Sequence, residues 1–328
     1  MSNNLIVERE KSLVELERRI SELREASAAQ PLDMSSEIGA LEQKYQQILQ
    51  ELFGALSPWE KVHMARHPSR PTSLDYISRF DRFDELHGDR QFRDDPSIVG
   101  GFALLHGRKV MVLGQQRGRD TKENLRRNFG MPAPEGYRKA TRLARLASRL
   151  RLPIVTFVDT KGADPGITSE EHAQSEAIAT CLQAFSTAAV PIVATVIGEG
   201  GSGGALALAI ADCVMMLEHS TYSVASPEGC AAILWSDSTK AEEAAARLKL
   251  TSRDLQRFGI VDEILPEPLG GAHRNAQDVV TRALDAVDAA LTPLMALSPE
   301  MLSEHRYRKY RRLGEWQAES FEPVRKAR

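Results

Sequence analysis

Apolar positions in the first fifty residues recur at helical spacing. Ile6, Leu13, Leu16, Ile20 and Leu23 fall on one face, and Ile38, Leu41, Tyr45, Ile48 and Leu52 repeat the same step, so the pattern predicts two amphipathic helices. Ala28-Ala29-Gln30-Pro31-Leu32-Asp33 lies between them, and Pro31 as a breaker predicts an antiparallel helical hairpin. A lone hairpin cannot bury its stripe. Two readings therefore stand: packing on its own chain, or contact of part of the stripe with another subunit. Pro58, Pro68 and Pro71 punctuate the stretch that follows, and beyond it the texture changes. Val110–Leu113, Ile154–Val158, Ile192–Ile197, Val214–Leu217 and Ile260–Leu265 are short, β-branched runs bounded by turn residues. Helical patterns such as Leu143, Leu146, Ala147 and Leu150 sit between them, and others cover Lys240–Ala246 and Gln277–Leu291. Strands alternating with helices predict an α/β fold with a parallel or mixed sheet buried on both faces. The charged run Arg306–Arg312 reads as a solvated helix end. The expected division is a helical region over 1–72, the α/β domain over 73–296 and a charged tail over 297–328.

Composition narrows the function classes. Of 328 residues, 42% are hydrophobic and 27% charged, the balance of a folded chain with a sizeable core. Lys plus Arg number 42 against 45 Asp plus Glu, a net charge of -3, so no global positive field draws nucleic acid or anionic membrane. The longest apolar runs, such as Ala205–Ala211, fall far short of the roughly 20 residues of a membrane span. The first residues have no signal-peptide character, and a cytoplasmic location is expected. Three widely spaced cysteines, Cys181, Cys213 and Cys230, form neither a disulfide framework nor a CxxC zinc motif.

The densest chemical signal is Val196-Ile197-Gly198-Glu199-Gly200-Gly201-Ser202-Gly203-Gly204-Ala205, a buried strand turning through five glycines into a small-residue helix. Gly198, Gly200 and Gly203 match G-x-G-x-x-G, but the following helix is too short for a dinucleotide crossover. The chain has no Gly-Lys pair for a P-loop, which leaves Asp159-Thr160-Lys161-Gly162 a chance likeness to a GTPase switch. Ser202 and Ser226 lack the flanking pattern of a hydrolase nucleophile. What such a cluster does well is present backbone N–H groups at a helix N-terminus, where free donors and dipole favour a developing negative charge. Glycine admits close approach of a substrate and is expected to supply unusual φ values at the turn. The competing reading is that the glycines only permit close helix–strand packing.

Four long motifs then carry a resemblance. Arg126-Arg127-Asn128-Phe129-Gly130-Met131-Pro132-Ala133-Pro134-Glu135-Gly136-Tyr137-Arg138-Lys139-Ala140, the glycine cluster, Tyr222-Ser223-Val224-Ala225-Ser226-Pro227-Glu228-Gly229-Cys230 and Pro266-Glu267-Pro268-Leu269-Gly270-Gly271-Ala272-His273-Arg274 resemble, in order, the α subunit of bacterial acetyl-CoA carboxylase carboxyltransferase. The resemblance covers roughly residues 5 to 295. It implies a crotonase-like spiral core over 73–296, a β-subunit partner in an α2β2 assembly, and zinc on the β subunit only. It also implies a reaction: transfer of the carboxyl group from carboxybiotin, supplied by the biotin carrier protein that biotin carboxylase charges, to acetyl-CoA, giving malonyl-CoA for fatty acid synthesis. No cofactor is expected bound covalently to this chain. Gly203 and Gly204 are expected to hold the biotin oxygen as it becomes anionic, with the β subunit serving the thioester oxygen. Gly200, Gly201 and Ser202, with Ser226, Pro227, Glu228 and Gly229, are further candidates on the biotin side; for the last four, a plain helix N-terminus with Pro at its first position is the alternative. Departing biotin can itself take the α-proton, which fits a site of glycines rather than of His and Asp. Two other readings are a crotonase-like hydrolase or decarboxylase of another acyl-CoA, and a non-catalytic scaffold for the β subunit. Arg138, Arg142, Arg145 and Arg149 form a basic helical stripe that meets CoA phosphates, the carrier or the β subunit, or is simply solvated.

One loop departs from the family. After the strand ending at Val158 the family pattern Asp-Thr-Pro-Gly-Ala-Tyr-Pro-Gly becomes Asp159-Thr160-Lys161-Gly162-Ala163-Asp164-Pro165-Gly166. Lys161 and Asp164 are expected beside the site and could pair with each other. Three explanations stand: local drift, a duplicate isoform whose charged pocket excludes an inhibitor, or an altered acyl-CoA preference.

Overall fold

The computed structural model describes residues 4–29 and 34–314. An eight-stranded mixed sheet forms the centre, with strands β1 (Arg82–Glu85), β2 (Ile98–Leu105), β3 (Arg108–Gln115), β4 (Ile154–Thr160), β5 (Ile192–Gly201), β6 (Cys213–Leu217), β7 (Thr221–Ser223) and β8 (Glu263–Leu265). Their spatial order is β1-β2-β3-β4-β5-β6-β8, and β7 pairs with the far end of β5. β1, β2 and β3 are antiparallel neighbours; from β3 onward every pairing is parallel.

Alternation along the strands sends side chains into two cores. Ile98, Met111, Leu113, Ile154, Val158, Ala194 and Val196 face the helices Pro134–Leu150, Gln174–Ser186 and Ser202–Ala209. Val99, Val110, Val112, Val155, Phe157, Val193 and Ile197 face the helix Ala276–Leu294 instead. Both faces are dry, which is why β4 and β5 read as continuous apolar runs. β1 and β2 escape sequence reading: β1 is a polar, largely exposed edge, and β2 carries Gly100-Gly101 at its centre because a side chain at Gly101 would overlap the Asp84 carbonyl. The last expected run shortens to Glu263–Leu265, since Ile260 and Val261 belong to a turn that closes the preceding helix.

Both expected N-terminal helices form, over Leu5–Ala29 and Ser35–Phe53. Their contacts run in opposite senses, Arg24 with Glu42 and Glu17 with Tyr45, so the pair is antiparallel. The turn around Pro31 lies outside the described residues. Ile6, Leu13, Leu49 and Phe53 bury together against Met64, so the inner part of the stripe packs on its own chain. Among the described residues no helix is long and apolar enough to cross a membrane.

The solvated reading of the charged C-terminal run holds for Arg308, Arg311 and Arg312, which are exposed, and fails for Arg306 and Lys309. Pro299–Arg311 is a helix, and Arg306 within it is 1% exposed. Its guanidinium donates to both Asp212 carboxylate oxygens, at 3.0 and 2.7 Å, and to the carbonyls of Phe185, Ala188 and Val190 at 2.8–2.9 Å. Lys309 likewise reaches Asp212 O and Asp262. A helical wheel cannot separate such pairs from solvated charge, because the carboxylates lie 94 and 47 residues away. Residues 315–328 lie outside the described part of the chain.

Candidate active site

The glycine cluster sits where parallel strands end and helices begin, the edge at which open α/β sheets place their ligands. β5 runs through Gly198, Glu199, Gly200 and Gly201 while pairing with β4 and β7, and the helix Ser202–Ala209 starts at once. Gly200 and Gly201 are therefore strand residues. Ser202, Gly203 and Gly204 occupy the first helical turn, with no side-chain cap over their N–H groups. Ser202 is exposed, Gly203 half-buried and Gly204 buried. The helix keeps its free donors and its positive dipole end at the surface of the site.

Conformation corrects the expected reason for the glycines. None of the five has a positive φ; the left-handed residue is Ser202, at φ +57°. A non-glycine held there costs of order 1 kcal/mol or more, and such strain collects at functional turns. The glycines serve close approach instead. A Cβ at Gly198 would overlap Asp159, one at Gly201 would overlap the Lys161 carbonyl, and one at Gly204 would overlap Ala163 N and lie 2.7 Å from Gly162 C and 2.8 Å from Tyr137 Oη. Gly203 differs from these. A Cβ there would meet only Ile178 Cγ2, at 3.8 Å, so packing does not demand glycine at this position. A Cβ at Gly200 would likewise lie 2.8 Å from Tyr222 Cδ2, so the packing reading explains Gly198, Gly200, Gly201 and Gly204, while Gly203 is left for access to the N–H groups.

The long motifs hold this turn in place. Gln115 Nε2, at the end of β3, donates to Gly204 O at 2.7 Å. Thr160 Oγ1 donates to Gly130 O at 2.6 Å, and Asp164 N to Pro132 O at 2.9 Å, so the 126–140 motif clasps the loop that covers Gly201 and Gly204. Lys161 and Asp164 do stand beside the glycine cluster, but they are not paired. The Asp164 carboxylate accepts from Ser169 Oγ at 2.5 Å and from Gly166 N at 3.2 Å, folding the loop on itself. Lys161 is exposed and has no ion-pair partner among the described residues.

The second candidate turn is more self-contained. Ser226 caps the helix Pro227–Trp235 by accepting from Gly229 N at 3.1 Å, and Pro227 occupies its first position. Ser226 and Gly229 thus spend their polar groups on the helix itself, as the plain N-terminus reading requires. Glu228 pairs with Arg66, which also grips Glu199 of β5. Sequence reading singled out neither Arg66 nor Glu199; only their meeting across more than 130 residues gives them significance. In the basic stripe, Arg138 is bound to His172 O and Arg142 to the carbonyls of His87 and Gly88, while Arg145 and Arg149 are exposed.

The fourth motif lies behind the site. Arg70 and Glu267 form a fully buried pair, at 2.9 and 2.5 Å, and Arg70 Nε donates to Ile197 O at 2.6 Å. His67 and His273 stack at 3.8 Å between ring centres, with Nε2 atoms 3.1 and 2.9 Å from the two oxygens of Glu10. Burial alone would raise the Glu10 carboxyl; the hydrogen bonds of His273 and His67 and the charge of Arg274 outweigh it and hold the group well below the carboxylate range. The cluster does not suit a metal. Arg274 stands 3.1 Å from Glu10, and His67 Nδ1 accepts from Ser69 N, whereas a ligating imidazole donates through its second nitrogen. It is a clasp fastening the N-terminal hairpin to the domain.

The model of the family described as acetyl co-enzyme A carboxylase carboxyltransferase-like matches residues 6–314. The chain belongs to that family. Among relatives of this carboxyltransferase-like chain are proteins named acetyl-coenzyme A carboxylase carboxyl transferase subunit alpha. That of Anoxybacillus flavithermus is 53% identical over 94% of this chain and 96% of the relative. That of Sorangium cellulosum is 55% identical over 93% and 96%. Solved structures share the fold at low identity. A Pseudomonas malonate decarboxylase hetero-dimer aligns with a TM-score of 0.54 and 18% identity, covering 66% of this chain and 89% of that one. The transcarboxylase 12S hexamer gives 0.52 and 21%, covering 68% and 42%. The carboxyltransferase-like chain thus has the crotonase-like core.

Proposed function

We propose that this chain is the α half of an acetyl-CoA carboxylase carboxyltransferase, moving the carboxyl group of carboxybiotin to the methyl carbon of acetyl-CoA to give malonyl-CoA. The observation that carries the reading is Gly203: a glycine that packing does not require, in an uncapped first helical turn, in a chain of this family. When CO2 leaves, electrons from the breaking N–C bond pass to the biotin ureido oxygen, and the N–H groups of Gly203 and Gly204 stabilise that charge. The ureido nitrogen then takes the α-proton of the thioester, and the enolate carbon attacks CO2; no side-chain base is consumed. A β subunit supplies donors to the thioester oxygen and carries the zinc, and biotin carboxylase and the carrier protein supply carboxybiotin. A cytoplasmic site of action belongs to the same reading.

The test is malonyl-CoA formation from carboxybiotin by the β subunit with and without this chain. Activity that requires both supports the reading. Equal activity of β alone would make this chain a scaffold, and hydrolysis or decarboxylation of an acyl-CoA without carboxyl transfer would place it elsewhere in the fold family.

A further inference from the structure

Arg66 lies just beyond the helix Pro58–Ala65 and immediately before His67 and Arg70, which the hairpin clasp and the pair with Glu267 anchor. Its guanidinium makes four hydrogen bonds to two carboxylates. Nε and Nη2 donate to Glu199 at 2.9 and 2.6 Å, and Nη1 and Nη2 donate to Glu228 at 2.6 and 3.2 Å. The side chains are 19%, 10% and 40% exposed for Arg66, Glu199 and Glu228, so the bridge is largely shielded from water on the Glu199 side.

Each carboxylate belongs to one of the two turns at the site. Glu199 precedes Ser202 by three residues, and its main chain is gripped from behind, Glu199 N donating to Asp159 Oδ1 at 3.0 Å. Asp159 is itself 3.1 Å from Arg117 Nε. Glu228 is the second residue of the helix that Ser226 caps. The strands that lead into the two turns, β5 and β7, pair as far as Gly201 and Ser223, and Arg66 adds a side-chain tie between the two helix N-termini, whose positive dipole ends repel one another. A planar fork bidentate to one carboxylate and shared with a second fixes angle as well as distance.

We propose that Arg66 is a positioning residue of the carboxyltransferase site: by tying Glu199 to Glu228 it sets the separation between the Gly203–Gly204 donors and the 226–229 turn, and so the fit of the biotin ring between them. The proposal rests on the function given above. It makes the N-terminal region part of the site's support, since Arg66 is carried by the same segment that receives the hairpin.

The test uses the chain assembled with its β subunit, comparing Arg66→Met and Arg66→Lys with the unaltered protein. Arg66→Met is expected to lower kcat for carboxyl transfer about 10- to 100-fold, the scale of a displacement near 1 Å, with KM for acetyl-CoA changed less than threefold. Arg66→Lys is expected to recover part of that loss. Hydrogen exchange should quicken in both 198–206 and 226–231 in Arg66→Met and only in 226–231 in Glu228→Gln, with the rest of the chain unchanged. Unaltered kcat and exchange in Arg66→Met would overturn the proposal, as would exchange that rises throughout the chain, which marks a merely structural role. If the unaltered assembly transfers no carboxyl group, the functional reading fails; the exchange pattern still decides whether Arg66 couples the two turns.

Discussion

Two adjacent glycines, one turn and opposite expected consequences make the sharpest test of the site. Gly204 is enclosed: a methyl group there overlaps Ala163 N and lies 2.7 and 2.8 Å from Gly162 C and Tyr137 Oη, where ordinary contacts begin near 3.4 Å. Two of these neighbours are backbone atoms of a loop bonded to Gly130 and Pro132, so they cannot swing aside. Overpacking of this kind costs about 1–3 kcal/mol, against roughly 1 kcal/mol gained by replacing glycine within a helix. Gly204→Ala is therefore expected to lower the denaturation midpoint, and Gly204→Val to fold poorly, which removes it as a clean probe of chemistry. Gly203 has open space, with Ile178 Cγ2 at 3.8 Å. Gly203→Val should leave stability within about 0.5 kcal/mol, since the helix-propensity gain is a few tenths and little is displaced. Because Cβ atoms tilt towards a helix's N-terminus, its isopropyl group is expected to crowd the first-turn N–H groups, and denying a substrate oxygen one such donor costs on the order of 10²-fold in turnover. Urea denaturation and malonyl-CoA formation, measured on the same preparations, separate the two effects. A Gly203→Val protein that assembles with β and turns over at the normal rate would refute the donor assignment. A Gly204→Ala protein as stable as its parent would refute the packing argument.

Four further outcomes follow from the same geometry. The isolated chain is expected to be inactive and to gain activity on mixing with β, because the proposed reaction needs donors for two oxygens and those for the thioester oxygen are assigned to β; substantial malonyl-CoA production by the pure chain would contradict this. Lys161→Pro and Asp164→Tyr, alone and together, should raise sensitivity to inhibitors that pack on the 161–166 loop, because covering the unpaired Lys161 charge is costly; unchanged sensitivity favours drift, and a changed acyl-CoA preference without it favours altered substrate choice. Arg306→Met should destabilise the fold by about 3–5 kcal/mol, since it leaves Asp212 buried and unpaired, and a denaturation midpoint near that of the parent would return the tail helix to the surface. Acid should loosen the hairpin clasp. Glu10, held below its ordinary value of 4.5, contributes fully above pH 4.5 and loses its contribution as pH falls further, while burial lowers His67 from 6.5, so the unfolded state gains protons first as pH drops below 6.5. Hydrogen exchange in residues 5–29, corrected for intrinsic rate, should therefore be faster at pH 5.5 than at 7.5; equal protection at both would count against the clasp.

Much of the architecture was readable without coordinates because its cause is local. Continuous β-branched runs marked β3 to β6, since strands buried on both faces admit little else. Helical spacing marked the hairpin, and a glycine-dense strand-to-helix step marked the donor turn. What sequence could not assign was the work of each glycine. All five look alike in the chain, yet Asp159, the 161–163 loop, Tyr137 and Tyr222 crowd Gly198, Gly200, Gly201 and Gly204, and Gly203 stands apart only because nothing but Ile178 comes near it. The strained residue proved to be Ser202 for the same reason: its φ is imposed by the strand and helix it joins, not by its own preference. Charge was the least legible property. Arg66, Arg70 and Arg306 read as ordinary polar residues beside surface arginines, and each became structural by meeting carboxylates 94 to 197 positions away. Periodicity reports which way a residue faces within its own element; whether a charged side chain there meets water or a partner is decided by elements that only the folded chain brings beside it.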